Sequence, residues 1–360
     1  MKVHRRIVLR EAAIGAGLVT AAWYLYFLVG VGGMVDYVRE GLFLDYVTGP
    51  AIHVEMLVSG LGLGVILALV GYATEGTSLR RRPFGQIIFV KTVFYLAGVA
   101  LVAAAVNLVL LGFIYSRAEL RAIWDIMSPR LVASLAAWMV LSIVVVNFIM
   151  EVRRKVGPGK LWALLTGRYH QPREENRIFL FLDLRGSTSI TETLGHARYS
   201  QFLRQVYHDL TEIVLLHDAE IYQYVGDEVV LTWPARAPDS GAQSLHAFFA
   251  FRQKLQRKKD WYRDTFGVVP EFRGGIECGE VTATEVGDIK RDIAFHGDPL
   301  NTAARLLELC GEFGEPVLVS GRIRNALAAD RSLAAELRGE LVLRGQSRPI
   351  PIYGVTSTAT

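Results

Sequence analysis

The chain has 360 residues, 51% of them apolar, a mean hydropathy of +0.29 and a formal net charge of only +4. Most of the apolar excess lies before residue 151, and the basic residues flank apolar runs. That argues against a nucleic-acid surface and for charge beside a membrane. Two cysteines, Cys278 and Cys310, are too few for a disulfide framework and suit a reducing compartment.

Four stretches approach the length of about 20 residues that a bilayer requires: 12–32, 55–73, 87–115 and 131–150. The apolar run of the first is longer than that of a signal peptide and is followed by three more spans, so it reads as an uncleaved span. Lys2, Arg5, Arg6 and Arg10 precede it. Arg80, Arg81 and Arg82 separate the second and third spans, and Arg153, Arg154, Lys155 and Lys160 follow the fourth. The positive-inside tendency then places both termini in the cytoplasm, although loop 116–130 carries Arg117, Arg121 and Arg130. The loop at 34–53 would be external. Lys91 is expected to snorkel to the interface, and Asn107 to make a packing hydrogen bond between helices.

Residues 151–176 turn abruptly to charge, with a break at Gly157-Pro158-Gly159 and then a short helical pattern stopped by Pro172. This segment reads as a connector whose bases anchor at a lipid surface. From 177 onward, strand and helix patterns alternate. "RIFLFLDL" is a buried strand, 188–217 a long helix, 219–233 a hairpin and 241–266 another helix. "EFRGGIECGEVTATEVG" suggests two strands, 299–311 a helix, and "GELVLRGQSRPIPIYGV" a closing hairpin. The order predicts an α+β domain with helices on a mostly antiparallel sheet, with no internal repeat. The division expected is a four-helix transmembrane domain over 1–150, a juxtamembrane linker over 151–176 and a cytoplasmic domain over 177–360.

Chemistry-bearing residues fall in three places. Asp183 ends an apolar strand, where a carboxylate is costly unless neutralised. Gly186 permits a tight turn, and Ser187, Thr188 and Ser189 are able to cap the next helix, whose N-terminus presents N–H groups to an anion. Asp227 follows Gly226 in a turn where hairpins prefer the order Asn-Gly or Asp-Gly. If its strand lies beside that of Asp183, the two acids meet, and a pair of Mg²⁺ ions resolves their repulsion economically. Third, Asp298 is a candidate N-cap with Pro299 after it, and Asn301, Arg305 and Glu308 share one face of the helix that follows.

"FLDLRGSTS", "YVGDEVV" and "HGDPLNTAARL", in this order, resemble the catalytic domain of class III adenylate and guanylate cyclases. The resemblance covers roughly 177–355 and implies a ferredoxin-like or palm-like sheet with helices. It implies that Asp183 and Asp227 each bind two Mg²⁺ or Mn²⁺ ions, and that the backbone of Leu184, Arg185, Gly186, Ser187 and Thr188 cradles phosphate. Asn301 would orient the ribose and Arg305 would stabilise charge at the α-phosphorus. The family builds its site across a head-to-tail dimer, so one chain with a full residue set implies a homodimer. Purine selection falls to Gln223 and Ala294. They match neither the lysine with aspartate or threonine usual in adenylate cyclases nor the glutamate and small residue of guanylate cyclases. Together with the four spans, the resemblance implies a multi-pass membrane enzyme that makes cyclic AMP from ATP, with a cytoplasmic catalytic domain. Cyclic GMP synthesis and a receptor with an inactive nucleotide-binding domain are the alternatives.

Other possibilities fit less well. Diguanylate cyclases carry a Gly-Gly-Asp/Glu-Glu-Phe hairpin, where this chain has Val225 and Val229, and they lack the Asn-x-x-x-Arg helix. A transporter would need more charge within its spans or an inverted repeat. His196 and His296 read as exposed helix and turn residues, Cys278 and Cys310 as small buried ones, and 256–264 as a solvated helix face. Arg344 is placed to reach a triphosphate or to be an ordinary strand-end charge.

Overall fold

The computed structural model describes residues 2–26, 49–75, 84–113, 118, 129–156, 160–235, 240–289, 291–327, 330–342 and 349–358. Most of loop 34–53, the bases Arg80, Arg81, Arg82, Arg117 and Arg121, the break at 157–159 and Arg344 lie outside these residues, as does the side chain of Asn107. The chain divides into two compact units, Met1–Val156 and Gly157–Thr360.

Among its described residues the first unit contains four helices: α1 (Lys2–Tyr26), α2 (Pro50–Glu75), α3 (Phe84–Phe113) and α4 (Pro129–Val156). A Cβ on Gly64 would lie 2.5 Å from the backbone nitrogen of Ala16, and one on Gly60 would lie 1.8 Å from Thr20 Oγ1. Gly60-x-x-x-Gly64 therefore lets α1 and α2 touch backbone to backbone, the packing that small residues permit in apolar helices. Val19, Leu63, Leu67, Tyr95, Val99, Ile143, Val146 and Met150 form the core between the helices.

Lys91 corrects the expectation that it reaches an interface. It is buried and pairs with Glu151 of α4, which is also buried. Asn147, one turn before that acid, donates its amide to Ile88 O at 3.3 Å and to Thr92 Oγ1 at 3.4 Å. A polar seam thus joins α3 to α4, because an unpaired buried ammonium would cost several kcal/mol. By length and composition one described helix is sufficient to cross a membrane, at Gly85–Val102 of α3. Ala13–Tyr26, Gly60–Gly71 and Ala136–Val152 are shorter apolar stretches. The four spans expected from the sequence are thereby not all met on this measure. Charges at the start of α1 and the end of α4 shorten their apolar windows, and residues 27–32 of the first lie outside the described part.

The second unit begins with a short helix, α5 (Lys160–Leu165), and an eight-stranded sheet follows. In chain order come β1 (Arg173–Leu184), α6 (Ser187–Leu194), α7 (His196–Leu216), β2 (Glu220–Val225), β3 (Glu228–Pro234), α8 (Ser240–Arg257) and α9 (Lys259–Phe266). Then follow β4 (Phe272–Val286), β5 (Asp292–His296), α10 (Asp298–Leu309), β6 (Val317–Ser320), α11 (Gly321–Ala326), β7 (Leu333–Leu341) and β8 (Ile350–Ser357). Strand order is β2-β3-β1-β4-β6-β8-β7, with β5 on β4. Among the described strands only the β4–β6 pairing is parallel.

Alternation along β1 sorts the core into two layers. Ile178, Leu180, Leu182 and Leu184 pack under α7 and α8 with Phe202, Val206, Phe248 and Phe251. Phe179 and Phe181 point to the other face, with Val281, Phe295, Ala303 and Leu307, and with Ala163 and Tyr169 from the segment preceding β1.

Several elements differ from expectation for identifiable reasons. The segment 272–286 is one strand, not two. Its glycines serve close approach rather than turning, since a Cβ on Gly275 would lie 2.1 Å from Ala303 O of α10. The helix expected over 188–217 is broken at Gly195, and that over 241–266 is broken at Lys258. Lys258 donates to both carboxylate oxygens of buried Asp209 at 2.8 Å, and Tyr262 Oη donates to the same group at 2.8 Å. So 256–264 is not simply a solvated face. Gly297, not Asp298, holds the cap position of α10, with Asp298 inside the first turn. His296 closes β5 rather than a turn, and Cys278 is only half-buried.

Candidate active site

Asp183 sits at the end of β1, where its register partner on β4 is Arg273. One residue earlier, Leu182 faces Val229 on β3, so the β2–β3 turn stands beside Asp183. Of the two central turn residues, only Gly226 has positive φ, at 64°. A turn with glycine first and positive φ there alone takes the order Gly-Asp, as type II′ turns do. Turn chemistry therefore does explain the order of these residues, which had appeared reversed. Tyr207 of α7 donates its hydroxyl to Gly226 O at 3.1 Å and packs on Tyr224 at 4.7 Å between ring centroids. The turn is held from the helix side.

Asp183 and Asp227 are thus brought together, with Glu228 beside them. Burial first, and then the charge of Asp227, push Asp183 above the ordinary carboxylate range, while Leu184 N–H and Arg273 oppose the shift. Glu228 is raised by burial and by both aspartates. Among the described residues no three His, Cys, Asp or Glu side chains are grouped as a metal cage. The site is a carboxylate pair with an acidic neighbour.

The turn after Asp183 differs in detail from expectation. Gly186 occupies the cap position in the left-handed region (φ 71°, ψ 27°), without a side-chain cap. Of the three hydroxyls suited to capping, that of Ser189 bonds back along the helix, as does that of Thr191 further on. Ser189 donates to Gly186 O at 2.9 Å, and Thr191 to Ser187 O at 2.8 Å. That leaves the first-turn N–H groups of α6 without intrahelical partners, as at any helix start. Leu184 is buried, whereas Arg185 is exposed and pairs with Glu271 at 3.4 Å.

Gln223 is exposed on β2. The β2–β3 register slips between Ile221 and Gln223, so both Tyr222 and Gln223 lie on the face of the sheet that carries Asp183. Tyr222 accepts the Phe295 N–H at 3.3 Å, one residue from Ala294, and so ties the neighbourhoods of Gln223 and Ala294 together. By register, Ala294 itself projects to the opposite face from Ile293 and Phe295. Neither the bulge nor Tyr222 has a signature in the sequence, since β2 contains no glycine or proline.

Asn301 and Arg305 are both exposed on α10. Arg305 bonds Glu308 at 2.5 Å, one turn on. The charged groups acting on Asp183 are Asp227 and Arg273, not Arg305.

A sequence model described as the adenylate and guanylate cyclase catalytic domain matches residues 169–356. The chain is 32% identical over 210 residues to adenylate cyclase 2 of Rhizobium meliloti (strain 1021), covering 58% of each protein. It is 26% identical to an adenylate cyclase of Anabaena cylindrica, over 49% of this chain and 36% of that one. In both cases the match spans less than two thirds of the relative's own length. A bacterial light-regulated adenylyl cyclase shares the fold, with a TM-score of 0.51 at 18% identity over 60% of this chain and 64% of that one. With more than half of its residues matched, the chain belongs to the adenylate and guanylate cyclase catalytic domain family.

Proposed function

We propose that this protein is a membrane-anchored adenylate cyclase that converts ATP to 3′,5′-cyclic AMP and pyrophosphate in sites shared by two copies of the chain. The observation that carries this reading is the convergence of Asp183 and Asp227 at neighbouring strand ends inside a cyclase-family domain. ATP is read as the substrate from the names of the relatives.

The carboxylate pair suits divalent ions. It offers only hard oxygen donors, and its mutual repulsion is relieved by a cation. Two carboxylates suffice for Mg²⁺, which is usually completed by water and substrate phosphates. Asp183 and Asp227 would hold two Mg²⁺ or Mn²⁺ ions, which when bound activate the ribose 3′-hydroxyl and neutralise the departing pyrophosphate. The chain's own groups do the rest. N–H groups from Gly186 to Thr188 hold phosphate oxygens at the start of α6. Asn301 orients the ribose. Arg305 exchanges Glu308 for the α-phosphate, where its guanidinium matches the charge that develops. The Gln223 amide, able to donate and accept, reads the purine edge. Arg305 and Asn301 come from the partner copy, consistent with the exposure of both and with Arg305 not being among the charges that act on Asp183.

The membrane reading draws on outward-facing apolar residues of the helical unit. Leu57, Leu61, Val65 and Leu69 form a stripe along α2. Phe89, Val93 and Leu101 are exposed on α3, and Leu141, Val145 and Phe148 on α4. A stripe of this kind suits lipid better than water. In this reading the four helices of 1–150 lie in the plasma membrane, 151–176 couples them to the enzyme, and 177–360 works in the cytoplasm.

The test is product formation by the purified full-length protein with ATP or GTP and Mg²⁺ or Mn²⁺, with Asp227→Ala alongside. Cyclic AMP from the wild type and at least a hundredfold less from the variant are expected. Cyclic GMP alone would overturn the substrate. No product from a folded dimer would overturn the enzyme.

A further inference from the structure

Arg273, which opposes Asp183 across the β1–β4 ladder, also lines a cavity of about 230 Å³ together with Arg185, Arg252, Glu271, Gly311 and Glu315. The cavity opens where the end of β1, the start of β4 and the turn after α10 meet. Both of its acids have arginine partners, Glu271 within the lining and Glu315 outside it. Glu271 pairs with Arg185, and Glu315 accepts Arg338 Nε at 2.6 Å. Among the described residues, Arg252 and Arg273 donate no hydrogen bond to any protein acceptor. Arg252 lies 5.8 Å by its guanidinium carbon from the Phe248 ring, and burial disfavours its charge more than nearby Glu271 favours it. The space for Arg273 is kept by Gly311, because a Cβ there would lie 2.8 Å from its Nη1.

Two half-buried guanidiniums without acceptors in one cavity are costly unless an anion completes them. Their planar forks match tetrahedral oxyanions better than point charges do. We propose that this cavity is a binding site for a phosphoryl dianion, held by Arg252 and Arg273 and distinct from the cyclase centre. The site itself does not depend on the cyclase reading; only the source of a pyrophosphate occupant does. The cavity is roomy enough for several waters, at about 30 Å³ each, so inorganic phosphate and pyrophosphate both fall within its size.

The experiment is isothermal titration of the full-length protein in detergent with inorganic phosphate, pyrophosphate and acetate, without nucleotide or metal. Phosphate should bind with a Kd of about 1 mM or tighter. Arg252→Gln and Arg273→Gln should each weaken it about tenfold or more, with unfolding temperatures near wild type. Arg305→Ala, which alters the cyclase centre, should leave it unchanged. Tighter binding of pyrophosphate than of phosphate would identify the occupant as the reaction's own product, and the reverse order as free phosphate. No phosphate binding, acetate binding as tight as phosphate, or full retention in both folded glutamine variants would overturn the proposal.

Discussion

Asp183 carries two costs in the folded chain, burial at a strand end and the charge of Asp227. A cation removes both. Millimolar Mn²⁺ should therefore raise the unfolding temperature of the wild type, by about 2–4 °C per kcal/mol of binding energy, and leave Asp227→Ala unmoved. Equal shifts in the two proteins would mean that the ion binds elsewhere. Glu277 provides a pH test away from the site. It is buried, accepts Ser320 Oγ at 2.7 Å and the Cys278 N–H at 2.8 Å, and burial raises it above the ordinary 4.5. The folded state then binds its proton more tightly than the unfolded state does. Its contribution is fully favourable below 4.5 and is lost as pH rises through the raised value. Glu277→Gln keeps the acceptor and removes the titration, so its advantage over wild type in thermal unfolding should grow from pH 5 to pH 8. Parallel pH profiles would refute this. Asp183 and Asp227 were legible from sequence because charge interrupts apolar strands there. Tyr207, Tyr222 and Glu277 were not, since a tyrosine or an acid in an amphipathic element has no distinctive spacing.

Helix boundaries show how one residue divides an element. Gly195 separates α6 from α7 at φ 71° and ψ 156°, a region open essentially to glycine alone, and no atom crowds its missing Cβ. Gly195→Ala should destabilise by backbone strain alone, about 1–3 kcal/mol, read in denaturant unfolding. A loss below ~0.5 kcal/mol would show that the junction relaxes, since surface changes without strain fall within that range. The seam between α3 and α4 tests packing of another kind. Glu151→Ala leaves Lys91 buried without its ion-pair partner and should cost about 3–5 kcal/mol, whereas Lys91→Met with Glu151→Met should recover most of it. Equal losses in single and double variants would assign the effect to shape instead of charge. The sequence marked α3 and α4 as apolar helices but left Lys91 to solvent, because the partner is 60 residues away.

At the scale of the whole molecule, the proposed enzyme needs two copies, since its acids are read as coming from one chain and its Asn/Arg pair from the other. Asp227→Ala and Arg305→Ala should each be inactive alone. Coexpressed, they should regain about a quarter of wild-type activity, because half of the dimers are mixed and each of those has one intact site. Product formation by the coexpressed pair no higher than by either variant would place all the residues in one chain.

By itself the sequence determined the partition into an apolar helical part and an α+β part, the two acids at strand ends and the family motifs. These are local: hydrophobic period, turn residues and short spacings act within a few residues. Only the tertiary structure decided that the glycines of β4 admit α10, and that a bulge turns Gln223 toward the face of Asp183. It also decided that Lys91 finds Glu151, and that two arginines from α8 and β4 face one cavity. Each of these depends on which atoms meet across distant segments. Periodicity along the chain carries no record of such meetings, because close packing and charge pairing act through space.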